Sequence, residues 1–263
     1  MHVSHLDQYL SLDSPIHRLD GRIKLLCTLA FVIACTVTPP GRWGAFLALW
    51  LLWAGCTVLA RVPHPLLLRR GLVALPFALA AVTLAFTRPG EALVTLSMWR
   101  WQVRITDQGL IAFLSVMIKS WLSVLMALLL AATTSYPALM QALRQLGVPR
   151  LLVAIISFMY RYLFVLADEA QRLMRAREAR SAQPDGRRVR RSITWRARVA
   201  GHMVGNLFLR SYERSERVYQ AMLSRGYTGD LRTLDTRRLT LYDVIALLMF
   251  VLALAVIEGW AHW

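Results

Sequence analysis

Two arginines carry the chemistry most readily put to use. Ala179-Arg180-Ser181 and Ser224-Arg225-Gly226 each set one guanidinium between two small residues, at the end of a long stretch of helical periodicity. A guanidinium presents five donors in a planar fork that matches a carboxylate, and small neighbours let the backbone that carries it settle deep in a groove. Without further context, each arginine is explained equally well as one of many on a solvated helix face. Lys119 is the next candidate, because it interrupts an apolar run. The six histidines, at 2, 5, 17, 64, 202 and 262, are scattered. His2 and His5 with the terminal amine have the donor types for a metal, but a pair in an N-terminal tail reads as solvated, and no metal site is expected. Cys27, Cys35 and Cys56 sit inside apolar runs without CxxC spacing and read as small hydrophobes. The sequence has no GxxxxGK[ST] loop, HExxH helix, GxSxG elbow or pair of intramembrane carboxylates. No catalytic residue is assigned, and the chain is expected to bind no cofactor.

The elements that must position these side chains are membrane spans. Of the 263 residues 57% are apolar with glycine left out, where soluble domains hold about 45–50% with glycine counted. Leu25 to Gly41, Trp43 to Ala60 and Gly71 to Thr87 run 17 or 18 residues without a charge. Each is roughly 25–27 Å long as a helix, close to the about 30 Å of a hydrocarbon core. A fourth run extends from Gln108 to Ala132 around Lys119, and a fifth from Leu239 to Trp263. These give about five crossings of an all-α polytopic membrane protein. Lys119 lies 11 residues beyond Gln108, about 16 Å at the helical rise and so near the midplane. There an unpaired lysine costs at least about 2.5 kcal/mol. It therefore has a structural or subunit-contact role, or the span begins later and the lysine snorkels. Small residues such as Ala30, Ala34, Gly44, Ala45, Ala48, Gly55, Ala78, Ala80 and Ala81 suit close helix packing.

Charge sorts the chain. Lys and Arg number 31 against 15 Asp and Glu, a formal net charge of +16. Residues 133–240 hold 20 arginines against 8 acids, or +12 of that total. Arg18, Arg22 and Lys24 precede the first span, Arg61, Arg69 and Arg70 follow the second, and the tail after the fifth has no basic residue. The positive-inside rule then places the N terminus inside and the C terminus outside, against which three arginines between spans three and four count somewhat. No cleavable signal peptide is expected. Three parts follow: a membrane domain of four spans over 1–132, a cytoplasmic module over 133–240 and a last span over 241–263. Leu163, Leu166, Ala170 and Leu173 recur at helical spacing, as do Val204, Phe208, Ser211, Ser215, Val218 and Met222. The module is thus two long amphipathic helices joined by the Pro- and Gly-containing basic loop from Gln183 to Arg191, with a short helix from Ala138 to Leu146 before them. The stretch at 151–167 is apolar enough to leave room for a sixth, partial span.

With its elements in place, the chain resembles the T subunit of energy-coupling factor transporters. The stretches SPIHRLDGRIKLL, TTSYPALMQALRQLGVPR, FMYRYLFVLADEAQRLMRAREARS and RSYERSERVYQAMLSRGYTG carry the resemblance over nearly the whole chain, and MYRY with RSYERSERVY looks most like the cobalt-uptake, CbiQ-like branch. The family's triplet is usually Ala-Arg-Gly, so Ser181 and Ser224 are departures that keep the flanks small and the charge intact. The resemblance implies a non-catalytic scaffold of the prokaryotic cytoplasmic membrane. Its Ala179-Arg180-Ser181 and Ser224-Arg225-Gly226 would couple to ABC ATPase subunits, and its spans would hold a substrate-binding membrane subunit for cobalt or nickel ions. ATP would be used by the partner. The family often has a basic residue at the place of Lys119, so the resemblance implies a structural or subunit-contact role for it. The rival readings are a T subunit serving vitamin carriers and an arginine-rich nucleic-acid-binding membrane protein. Gene neighbours or salt-dependent nucleic-acid binding separate them; no nucleic-acid partner is expected.

Overall fold

The computed structural model describes residues 9–10, 12–74, 82–83, 92–98, 101–181, 192–229 and 239–263. Contacts divide the chain into two compact units, one built from Asp7–Leu146 with Arg237–Trp263 and the other containing Gly147–Thr236. The fold is that of an all-α polytopic membrane protein, to which the described residues add one two-stranded hairpin.

The first unit begins with α1 (Pro15–Arg18) and α2 (Gly21–Val37), each started by a polar cap. Ser14 accepts from the His17 amide and Asp20 from the Arg22 amide, satisfying donors a helix start leaves open. Pro39 and Pro40 end α2, and after the Gly41 turn comes α3 (Trp43–Leu59). Then come α4 (His64–Gly71), with Pro65 in its first turn, and a short 3-10 turn, Leu72–Ala74. Most of the expected third span lies outside the described residues. β1 (Ala92–Met98) pairs antiparallel with β2 (Trp101–Thr106), which runs straight into α5 (Asp107–Thr133). Next are α6 (Tyr136–Gln145), opened by Pro137, and finally α9 (Leu241–His262), opened by a capping box between Thr240 and Asp243.

The core of this unit draws Phe31 and Cys35 from α2, Leu49 and Trp53 from α3, Leu67 from α4, Leu122 and Leu125 from α5 and Leu254 from α9. Outside, Leu248, Leu252, Val256 and Trp260 recur every four residues along α9 at 61–65% exposure, a continuous apolar stripe suited to lipid. α5 and α9 are long and apolar enough to cross a membrane, and α3 is a shorter apolar helix. Of the small residues, Ala34 and Ala45 are buried, and a Cβ on Gly44 would meet the Trp260 ring at 2.5 Å, so α3 and α9 pack backbone against indole. Gly55 faces open space, and Ala78, Ala80 and Ala81 lie outside the described residues.

The second unit holds α7 (Arg150–Ser181) and α8 (Ile193–Leu223). Gly147, at φ +96°, and Pro149 separate α7 from α6. α7 is one unbroken helix of 32 residues whose apolar first half makes it a third helix able to cross a membrane. Ser192 caps α8 by accepting from the Trp195 amide, and the Gln183–Arg191 loop lies outside the described residues.

Candidate functional site

α7 and α8 meet at a charge pair. Arg210 donates to Glu169 at 2.6 Å, and the Glu169 side chain is only 14% exposed, with Arg172 a turn away at 4.0 Å. From that point an apolar groove of about 600 Å³ is lined by Ile155, Phe158, Tyr162 and Leu166 of α7 and by Phe208, Ser211, Ser215, Val218 and Met222 of α8. The α8 lining contains the stripe read from the sequence, less Val204, together with Tyr212, Arg214 and Tyr219 beside it. The groove joins the part of α7 before Glu169 to the part of α8 after Arg210, so the helices run antiparallel through the crossing. Arg180 lies eleven residues beyond Glu169 and Arg225 fifteen beyond Arg210, about 16 and 22 Å along their helices. The two arginines therefore leave the crossing in opposite directions.

Each stands at a helix end. Ala179 and Arg180 are exposed in the last turn of α7, and Ser181 closes it. After α8 the chain forms a Schellman stop: the Tyr227 amide donates to Met222 O at 3.0 Å and the Gly226 amide to Leu223 O at 2.9 Å, with Gly226 at φ +80°. Arg225 is thus the last residue before the chain turns left-handed. The sequence reading gave the glycine one task, closeness of approach; the structure adds a second, stopping the helix so that Arg225 projects from its end. Ser224 folds its hydroxyl onto Ala221 O at 3.0 Å and so stays compact. Glu213 is engaged by Arg217 at 3.8 Å and Glu216 by Gln220 at 3.1 Å. Among the described residues neither Arg180 nor Arg225 meets a carboxylate. Gly226→Ala should destabilise the end of α8 by about 1–2 kcal/mol, the cost of a left-handed alanine. Faster amide exchange confined to residues 220–227 would show it, and unchanged exchange would refute the assignment.

Lys119 has a different setting. Its ammonium donates to Thr36 O at 3.0 Å and Thr38 O at 2.5 Å, the carbonyls that end α2. Thr36 O has no helical partner because position 40 is proline and carries no N–H. One turn earlier on α5, Ser115 accepts from the Gly41 amide at 3.1 Å, and from α9 Glu258 accepts from the Thr38 hydroxyl at 2.7 Å. At the opposite end of the pair the arrangement is reversed. Lys24, in the first turn of α2 and 9% exposed, donates to Thr133 O of α5 at 2.9 Å and to His17 O at 3.2 Å. Each helix lends a lysine to the negative end of the other, where a cation is favoured. Lys119 lies level with the turn after α2, and α5 continues for 14 residues past it to Thr133, about four turns.

A second tie joins the two ends of the chain. The Asp20 amide donates to Asp243 at 3.0 Å, both carboxylates being 4% exposed, while Asp243 also accepts from the Thr240 amide at 2.9 Å. Arg22 donates to Gln145, bringing α6 to the same corner. His17, held by Ser14 at 2.7 Å and Leu10 O at 3.0 Å, is pushed below the usual histidine value chiefly by burial. Sequence reading took Lys24 and Arg22 only as orientation signals and did not foresee the Asp20–Asp243 tie. One signal was available: of 31 basic residues only Lys24 and Lys119 are lysines, and both serve as clamps. Among the described residues no three of His, Cys, Asp and Glu cluster as a metal site.

An apolar helical bundle with three helices able to cross a membrane, joined in sequence to two long helices that end in exposed arginines, is the build of a polytopic membrane component. Residues 13–235 match the family described as cobalt transport protein, CbiQ, and the chain belongs to that family of transporter membrane components. It is 31% identical over 236 residues to the energy-coupling factor transporter transmembrane protein EcfT of Heliobacterium modesticaldum, covering 85% of this chain and 84% of the relative. With the EcfT of Thermanaerovibrio acidaminovorans identity is 30% over 253 residues, 92% and 90% of the two chains. With the cobalt transport protein CbiQ of Rhodobacter capsulatus it is 28% over 216 residues, 81% of each.

Proposed function

We propose that this chain is the energy-coupling membrane subunit of an energy-coupling factor transporter for cobalt or nickel ions, in which Arg180 and Arg225 are the two anchors for ABC ATPase subunits. The observation that carries it is the divergence of the two arginines from one crossing, each exposed, at a helix end and between small residues. An ATPase dimer offers two equivalent grooves, and a guanidinium entering each would meet carboxylates on its wall. Closing of the dimer would draw the ends of α7 and α8 together about their crossing. The motion would pass to the bundle through the Gly147–Pro149 connection, and the bundle would move the substrate-binding membrane subunit. The chain itself binds neither ATP nor another cofactor.

In this reading α8 and the basic second half of α7 are cytoplasmic, within a module of residues 133–240 between the four-span part and the last span, while the apolar first half of α7 lies in the interface or dips into the bilayer, with the N terminus inside and the C terminus outside. The support is the arginine count of that segment and the clamped corner of Lys24, Asp20 and Asp243 from which α2 and α9 both start. A second reading, a T subunit shared by carriers of other substrates such as vitamins, draws on the relatives named EcfT. Affinity purification from gentle detergent separates the two. An ABC ATPase with a metal-binding membrane subunit supports the first reading, several vitamin-binding subunits support the second, and recovery of no ATPase would overturn both.

A further inference from the structure

A crevice of about 210 Å³ opens among α2, α3, α5 and α9 at the end where α2 begins. Its wall is apolar, with Ile23, Leu59, Met126 and Phe250 among the lining side chains. Leu59 and Tyr242, at the rim, are 57% and 61% exposed, so the mouth faces outward. The polar groups inside are already bonded: Lys24 and Thr133 make the clamp, and Thr28 donates to Lys24 O at 2.8 Å. The space is smaller than the roughly 300–1,000 Å³ of sites for compact organic ligands. It has the character of a slot for an alkyl chain.

Two arginines lie one or two positions along the chain from residues that line the slot, Arg18 before Leu19 and Arg61 after Leu59. Arg18 ends α1, whose Pro15 and Ile16 line the slot as well. Both reach Asp13: Arg18 lies 3.6 Å from its carboxylate, and Arg61 donates to its carbonyl at 3.2 Å. At this corner Arg18, Arg61, Arg22 and Lys24 stand against Asp13, Asp20 and Asp243, four positive groups against three negative, so a net positive charge remains. Arg61 also has φ 56°, with its neighbours Ala60 and Val62 buried, so its backbone is held in a conformation unusual for a side-chain-bearing residue.

We propose that this crevice binds an acyl chain of an anionic phospholipid whose phosphate lies against Arg18 and Arg61. A bilayer presents that combination at the start of a span, an alkyl chain below the headgroup level and a phosphate on it. The guanidinium fork matches phosphate oxygens. A zwitterionic lipid has the same chain and phosphate but carries an ammonium that offsets the attraction, so the site discriminates by headgroup charge.

Cys27 and Cys56 line the crevice, whereas Cys35 is buried in the core, so the three thiols report on occupancy. The full chain is placed in micelles containing phosphatidylglycerol or phosphatidylcholine and treated with a membrane-permeable maleimide, and each cysteine is followed by peptide mass spectrometry. Phosphatidylglycerol should slow modification of Cys27 and Cys56 at least fivefold relative to phosphatidylcholine and leave Cys35 unchanged. Arg18→Gln with Arg61→Gln, which leaves the wall intact, should abolish the difference. Should that variant melt early, Arg18→Gln alone, at a side chain 73% exposed, should reduce it at least twofold. Equal protection by both lipids, or a difference that survives loss of the arginines, would overturn the proposal.

Discussion

Replacing Arg180 and Arg225 together by alanine should abolish ion uptake while the protein still inserts in the membrane in normal amount. Both side chains are exposed at helix ends and have no carboxylate partner among the described residues, so their loss removes little from the fold. What it removes is the proposed grip on the ATPases. Truncating a buried arginine anchor typically costs about 2 kcal/mol or more of binding, about 30-fold in affinity for each arginine. With both gone, the ATPases would cycle without moving the membrane subunit. Arg217→Ala is the matched control: it loses an exposed pair with Glu213 at 3.8 Å, worth about 0.2–0.5 kcal/mol, and should leave uptake intact. Lysine at 180 or 225 restores charge without the planar fork and should rescue only in part. Full uptake by the double alanine variant would remove both anchors from the account.

The second large effect concerns Lys119. Lys119→Leu leaves Thr36 O and Thr38 O, both drawn toward the ammonium, without that donor, and takes a positive charge from beside Glu258. The contact to Thr36 O is exposed and that to Thr38 O half-buried, so the variant should lose less than the full penalty of two buried acceptors, about 1–2 kcal/mol, and its thermal midpoint in detergent should fall by a few degrees. Lys24→Leu should do the same at the other end of the pair. Arginine at 119 keeps the charge and has donors for both carbonyls, but its longer, planar side chain fits the space of a compact ammonium less well, so it should give an intermediate loss. Tryptophan fluorescence on heating reads all three. Wild-type melting of Lys119→Leu would refute the clamp, and normal assembly and transport by it would exclude a subunit contact at that position.

Periodicity and charge made the architecture legible where one face or one length was decisive. The α8 stripe from Phe208 to Met222 lines the groove as its spacing implied, and the apolar runs became α2, α3, α5 and α9 with ends set by Pro39-Pro40, Thr134 and the Thr240–Asp243 box. What escaped was pairing between distant residues. Asp20 and Asp243 are 223 positions apart, and nothing local tells an aspartate that caps its own helix from one that also ties another. Lys119 was placed by counting from the start of its run. Its partner is the α2 turn it clamps, 81 positions earlier at Thr38, which counting along one run does not reveal. The β1–β2 hairpin is visible in the sequence only as a short alternation of period two, Val94, Leu96 and Met98 and then Trp101, Val103 and Ile105, too short to stand out between apolar runs. Gly226 was read for its size, and its left-handed backbone is a property of the helix stop rather than of composition.

The central claim is one ATPase anchor per triplet. Native mass spectrometry of the chain reconstituted with its ATPases would count the subunits bound to the wild type, to Arg180→Ala, to Arg225→Ala and to the double variant. The expected numbers are two, one, one and none. Two ATPases retained by the double variant would contradict it.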